Sequence, residues 1–212
     1  ITLLGRIPSP KILIEAMKTT RPNIVCTVPL ILEKVYRKSI LPMLEKGPMS
    51  IAMRIPLINT AIYSTIRSRL LEQFGGCVEI FIVGGAAINR ETEEFLLKIK
   101  FPITVGYGMT ECAPLISFEI PSQFKPGSCG KLLPNDLLEG KICSSNPKTI
   151  PGELLVRGEH VMKGYYKNET ATKAVLDEDG WLHTGDMCTM DEDRTLYIRG
   201  RCKTMILSGS GQ

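Results

Sequence analysis

Two glycines, an aromatic ring, a hydroxyl and a carboxylate follow one another in Gly106-Tyr107-Gly108-Met109-Thr110-Glu111, directly after the β-rich run Ile103 to Val105. At the exit of a buried strand, that set can do three things. Tyr107 can stack on a planar base, Thr110 can contact a phosphate oxygen, and Glu111 can offer an anionic oxygen to Mg²⁺. One carboxylate suffices for the last role, because Mg²⁺ binds through one or two carboxylates plus substrate phosphates. Taken alone, the same residues equally suit a plain turn with Glu111 solvated, since short glycine motifs recur by chance.

A second set lies far downstream. In Gly180-Trp181-Leu182-His183-Thr184-Gly185-Asp186, the carboxylate of Asp186 follows Thr-Gly behind an apolar anchor and can accept both hydroxyls of a ribose. Arg201, in Gly200-Arg201-Cys202-Lys203, offers a forked donor to phosphate or ribose oxygen. The plain alternatives are a turn-capping Asp186 and a surface cation at Arg201.

Other sites are excluded by pattern. Gly106-x-Gly108-x-x-Glu111 lacks the third glycine of a dinucleotide fingerprint, and no G-x-x-x-x-G-K-[ST] phosphate loop occurs. Asp177-Glu178-Asp179-Gly180 lacks the remaining ligands of a calcium loop and reads as a turn. His160 and His183 are too isolated in sequence to suggest a metal pair.

The elements that must position these residues change character along the chain. Helical spacing over Lys11 to Lys18, started by Pro8 and Pro10, precedes the β-branched run Asn23 to Val28. Pro29 then opens a helix through Tyr36 that should be over by Pro42. The proline-marked connection Glu45 to Pro56 leads to an amphipathic helix from about Asn59 to Phe74, with Arg67 and Arg69 on its basic face. Val78 to Val83 reads as a strand ended by Gly84-Gly85-Ala86-Ala87. Asn89 caps a helix carrying Glu91, Glu93 and Glu94 at its positive end, and Pro102 breaks it before the strand Ile103 to Val105.

Strand, helix, strand at this spacing is a right-handed parallel βαβ unit, whose strands end on the sheet edge where α/β folds bind ligands. Gly84, Gly85 and Ala86 would thus share a crevice with Tyr107 to Glu111. After Pro114 the pattern turns to short extended runs, Leu115 to Ile120, Gly152 to Arg157 and Thr195 to Ile198, separated by turn residues; Asp191 to Arg194 turns a hairpin. The fold expected is α/β: a parallel βαβ sheet subdomain over 1–113, then a smaller, mostly-β subdomain shaped as a distorted barrel over 114–200, with 201–212 starting a hinge.

The composition allows this. At 212 residues and 43% hydrophobic, the chain can bury one core and part of a second. The net charge of +4 is scattered, which suits a solvated face better than a nucleic-acid footprint. Seven dispersed cysteines without a C-x-x-C pair indicate neither a disulfide framework nor a zinc site, and point to a reduced, intracellular setting. No apolar run reaches membrane-spanning length and no signal-peptide pattern opens the chain. Ile1-Thr2-Leu3-Leu4 begins inside a strand-like run, and Ser208 to Gln212 stops in mid-loop just after Met205-Ile206-Leu207, as in a piece of something longer.

In order, Gly84-Gly85-Ala86, Tyr107 to Glu111, Gly152 to Gly158, Trp181 to Asp186 and Gly200-Arg201 resemble the adenylate-forming superfamily of acyl-CoA synthetases, peptide-synthetase adenylation domains and luciferases. Val28-Pro29-Leu30-Ile31-Leu32-Glu33-Lys34-Val35-Tyr36, and the long connection before Phe74-Gly75-Gly76, are most similar to the long-chain fatty-acid–CoA ligases.

The resemblance implies attack of a fatty-acid carboxylate on the α-phosphate of ATP, then displacement of AMP by coenzyme A. It implies that Gly84, Gly85 and Ala86 line the adenine or acyl site, that Tyr107, with Gly108, stacks on adenine, and that Thr110 contacts phosphate. Glu111 would hold Mg²⁺, Asp186 the ribose, Arg201 ribose or phosphate, and Lys203 would be the hinge of a lid. It further implies an internal fragment of the large N-terminal domain, with the phosphate loop upstream of Ile1 and the lid lysine beyond Gln212, so that the chain as given should not adenylate at a useful rate. The setting implied is cytoplasmic, with peripheral membrane contact of the longer protein left open. Activation of an amino or aryl acid, or nucleotide binding without catalysis, are the alternatives.

Overall fold

The computed structural model describes residues 10–45, 52 and 55–204. They form two compact units, Ile1–Thr104 with Ile120–Ser122, and Val105–Glu119 with Gln123–Gln212. The expected features at Ile1 to Leu4, Pro8, most of the Glu45 to Pro56 connection, and 205–212 lie outside the described residues.

In the first unit, α1 (Pro10–Thr20) leads into β1 (Ile24–Thr27). Val28 is extended, at φ −90° and ψ 152°, as a residue before proline must be, and Pro29 occupies the first position of α2 (Pro29–Val35). The helical path does not end before Pro42, contrary to the sequence expectation. It widens into a π-turn over Tyr36–Ile40, where Leu41 N donates to Tyr36 O, and continues as α3 (Leu41–Glu45). Pro42 is the second residue of α3, directly after the π-turn, a local widening of the ladder behind which a residue with no N–H to donate is tolerated.

The next helix, α4 (Pro56–Gln73), starts earlier than expected because Pro56 fits its first turn. It buries Ile66 and Leu70, with Phe74 just beyond, and leaves Arg67 and Arg69 exposed. The chain then runs through β2 (Ile80–Val83), α5 (Arg90–Lys98) and β3 (Ile103–Val105). The sheet has the order β1-β2-β3, with β1 parallel to β2 from Ile24↔Ile80 to Thr27↔Val83. Phe81 of β2 meets Phe74 and Phe101 in the core, the three rings tilted against one another with centroids 5.0–6.2 Å apart.

One side chain of α2 and one of the π-turn reach the start of α5. Glu33 Oε1 accepts from Asn89 N at 2.8 Å, and Tyr36 Oη donates to Glu91 Oε1 at 3.0 Å. Asn89 caps α5 as expected, its Oδ1 accepting from Thr92 N at 3.3 Å. Asn89→Ala is expected to lower stability by about 1 kcal/mol, measured as the midpoint of chemical denaturation. An unchanged midpoint would show that Glu33 alone secures the helix entry.

In the second unit, β4 (Tyr107–Gly108), β5 (Leu115–Phe118) and β6 (Lys131–Leu132) form one antiparallel sheet. A second has the order β10-β9-β8-β7, from β7 (Glu139–Cys143), β8 (Gly152–Arg157), β9 (Leu182–Met190) and β10 (Leu196–Arg201), with a short helix α6 (Glu169–Lys173) before β9. The sheets are joined where Cys129 N donates to Leu196 O, Leu196 N to Gly130 O and Leu132 N to Arg194 O, at 2.8–2.9 Å.

No closed barrel results, which corrects the distorted-barrel expectation. The sheets meet at β6 and β10, while β4 and β7 stand at the opposite ends of the two strand orders and are not paired with each other among the described residues. The Asp191 to Arg194 hairpin forms, with Asp191 N donating to Thr195 O at 3.0 Å. Asp177 makes a turn, its Oδ1 accepting from Asp179 N and Trp181 N. Among the described residues, no helix is long and apolar enough to cross a membrane.

Candidate active site

The second unit brings Tyr107, Asp186 and Arg201 together by breaking strand regularity. Between the pairs Glu153↔Met187 and Leu155↔His183, the three residues Thr184, Gly185 and Asp186 of β9 stand opposite the single residue Leu154. Gly185 supplies the turn with φ +71°, a region open to glycine at no steric cost. On the other side β10 carries an extra residue, Arg199, between Ile198↔Cys188 and Gly200↔Met187. The two irregularities leave Arg201 directly opposite Asp186. Bulges of this kind re-aim side chains at functional sites.

The third member comes from β4. Tyr107 pairs with Ser117, and Gly108 with Leu115, so β5 too accommodates an extra residue. Tyr107 and Gly108 therefore form a short strand. Gly108 has to lack a side chain: an added Cβ would stand 1.8 Å from Pro114 O, which accepts the N–H of Met109 at 2.8 Å.

The Asp186 carboxylate is nearly enclosed, with a side-chain exposure of 6%. Tyr107 Oη donates to Oδ2 at 2.7 Å and Arg201 Nε to Oδ1 at 2.7 Å, while Arg201 itself is 67% exposed. Burial first, and then the Asp186 carboxylate, push the Tyr107 phenol far above the ordinary phenol range, so it stays a donor at every physiological pH. Burial pushes the Cys188 thiol up to about 12, with Asp186 adding to the effect, so the neighbour of the carboxylate stays neutral. An ionised oxygen has two acceptor positions, so Asp186 keeps room for one further donor at each oxygen. The arrangement is an oriented, anionic acceptor pair.

Glu111 follows in the 3₁₀ turn Thr110–Cys112, which ends at Ala113 with φ +50°. Its Oε1 accepts from Tyr165 Oη at 2.9 Å, and its backbone O accepts from Met162 N at 2.7 Å. A half-buried hard-oxygen donor on so fixed a backbone fits one ligand position of Mg²⁺. Thr110 is exposed on the same turn.

Trp181 anchors the run before Asp186. Lys141 Nζ lies 4.0 Å, and Arg157 Cζ 4.5 Å, from the centre of its ring, and Arg157 is fixed in turn by Glu139 at 2.9 Å. Gly84, Gly85 and Ala86 lie in the first unit just after β2, where Gly84 N donates to Thr27 O at 3.0 Å and Gly85 has φ +80°. Lys203 is exposed in the 3₁₀ turn Cys202–Thr204. The sequence reading missed Glu153 and Tyr165, the residues that hold Asp186's strand and Glu111. Glu153 lies in the strand run Gly152 to Arg157 and Tyr165 in Lys163 to Lys167, and only folding pairs them with the site.

The family described as AMP-binding enzyme matches residues 2–166. The 4-coumarate--CoA ligase 1 of Glycine max is 34% identical over 189 residues, which cover 84% of this chain and 63% of that protein. The 4-coumarate--CoA ligase of Pinus taeda is 32% identical over 189 residues, covering 84% of this chain and 34% of that protein. Among solved structures, ATP-bound MatB from Rhodopseudomonas palustris superposes with a TM-score of 0.70 at 23% identity, over 99% of this chain and 36% of that one. The o-succinylbenzoate CoA synthetase MenE from Bacillus subtilis, with its acyl-adenylate intermediate, gives 0.69 at 24% identity, over 96% and 36%. The likeness in fold thus spans nearly the whole chain, which itself spans less than two thirds of each of these proteins.

Proposed function

Because the chain belongs to the AMP-binding enzyme family, we propose that it is the adenylate-binding part of an AMP-forming acid–CoA ligase. In the first step a carboxylate oxygen of the acid bonds to the α-phosphorus of ATP and pyrophosphate leaves. In the second the thiol sulfur of coenzyme A bonds to the acyl carbon and AMP leaves. The observation that carries this reading is the Asp186 carboxylate held between Tyr107 and Arg201 at 2.7 Å on each oxygen.

Asp186 accepts the ribose hydroxyls, and Arg201, exposed on one side, reaches ribose or phosphate oxygen. The face of Tyr107 supports adenine, with Gly108 as a side-chain-free surface beside it. Thr110 contacts phosphate and Glu111 would hold Mg²⁺, which when bound neutralises charge on the phosphates. Lys203 is the hinge of a lid. The protein's contribution is positioning and charge complementarity rather than covalent chemistry.

For the acid, we favour a long-chain fatty acid, on the resemblance of Val28 to Tyr36 and of the connection before Phe74 to the long-chain ligases. A second reading, an aryl acid, is favoured by the names of the curated relatives, which are 4-coumarate ligases. ATP–pyrophosphate exchange by the protein as encoded, with palmitate, 4-coumarate and amino acids in turn, separates them. Exchange with palmitate is expected. Exchange with 4-coumarate alone would establish the second reading, and exchange with none of the acids would overturn ligase activity.

A further inference from the structure

In the bulge that carries Asp186, Gly185 is paired with no residue of β8. Gly185 turns at φ +71°, and its N–H is taken by a side chain, Glu153 Oε1, at 3.0 Å. The other oxygen of the same carboxylate, Oε2, lies 2.9 Å from His183 Nδ1. Glu153 belongs to β8 and pairs with Met187, the residue where regular pairing resumes after the bulge. It therefore grips the bulge near its start, at His183, and at its apex, at Gly185. The remaining donors are satisfied locally: His183 N donates to Val175 O at 2.7 Å, Asp186 N to Thr184 Oγ1 at 3.2 Å, and Thr184 Oγ1 to Leu154 O at 2.8 Å.

We infer that Glu153 is a positioning residue for nucleotide binding, acting through the Gly185 peptide to aim the Asp186 carboxylate. The inference rests on Asp186 being the ribose acceptor. The physical reason is the short lever between the two residues. Asp186 immediately follows the gripped peptide, and its carboxylate is already fixed at Tyr107 and Arg201. A glycine peptide released from Glu153 regains backbone freedom, and the carboxylate no longer presents its free acceptor positions in one orientation. With a side-chain exposure of 26%, Glu153 serves as a structural acceptor rather than a ligand-facing charge.

The test compares binding of ATP and 2′,3′-dideoxy-ATP by calorimetry, using the protein as encoded. Wild type is expected to prefer ATP. Glu153→Ala is expected to weaken ATP by about tenfold while leaving 2′,3′-dideoxy-ATP unchanged, the size typical of losing a residue that orients a direct ligand contact. Glu153→Gln, whose amide can still accept from Gly185 and donate to His183, is expected to restore most of the ATP affinity. A Glu153→Ala variant that weakens both nucleotides equally, or neither, would overturn the positioning role. A wild type indifferent to the ribose hydroxyls would overturn the reading of Asp186, and the inference with it. Should the alanine variant fail to fold, Glu153→Asp, which keeps the charge but shortens the reach, is read by the same two ratios.

Discussion

Asp186→Ala is expected to raise the Kd for ATP by roughly a hundredfold, about 3 kcal/mol, as two hydrogen bonds from ribose hydroxyls to a buried carboxylate are lost. The same change leaves the Tyr107 hydroxyl without its acceptor, a cost of about 1–3 kcal/mol in stability for a buried donor. Arg201 adds little to that cost, because at 67% exposure its guanidinium is reached by water. Asp186→Asn separates the two effects. Its amide oxygen can replace one acceptor and its volume is conserved, so much of the stability returns while the anionic acceptor pair does not. Calorimetric binding, alongside denaturation of both variants, measures each effect. ATP affinity in Asp186→Ala within about twofold of wild type, a change near the noise of affinity arithmetic, would remove Asp186 from the site.

Local chemistry made some of the fold legible in the sequence. Asn89 as a cap, Pro29 at a helix start and the β-branched runs at β1 and β2 act through neighbours in sequence, and the structure places them as expected. Pro42 misled because a proline need not end a helical path when the ladder before it widens, as it does in the π-turn Tyr36–Ile40. The barrel misled because strand-like runs say nothing about which strands pair, and β4 and β7, at the outer ends of the two sheets, do not pair with each other.

For the site, residue types could be read but not partners. Asp186 and Arg201 stood out in the sequence, yet their pairing depends on the extra residues in β9 and β10, and these shift the register with no signature beyond Gly185 and Gly200. Glu153 and Tyr165 act across 32 and 54 residues of sequence, distances at which no periodicity reports.

Glu111→Gln is expected to slow adenylate formation by roughly 10²-fold or more, the scale of losing an electrostatic contact to developing phosphate charge. The substitution is isosteric, and the amide oxygen of Gln can still accept from Tyr165 Oη, so the turn it sits on is preserved. Met162 N bonds to the backbone O of residue 111, which the change does not touch. Stability should therefore move little, and the loss should fall on the metal-dependent part of binding. In wild type, Mg²⁺ is expected to tighten ATP binding relative to the same titration in EDTA. In Glu111→Gln that difference should vanish, while affinity in EDTA stays at the wild-type value or improves slightly with one negative charge removed. Tyr165→Phe sharpens the result, because it frees the Glu111 carboxylate without removing it. A smaller loss, about tenfold, is expected there, as for other residues that orient a metal ligand. A variant Glu111→Gln whose ATP affinity still responds to Mg²⁺ as wild type does would show that the metal is held elsewhere.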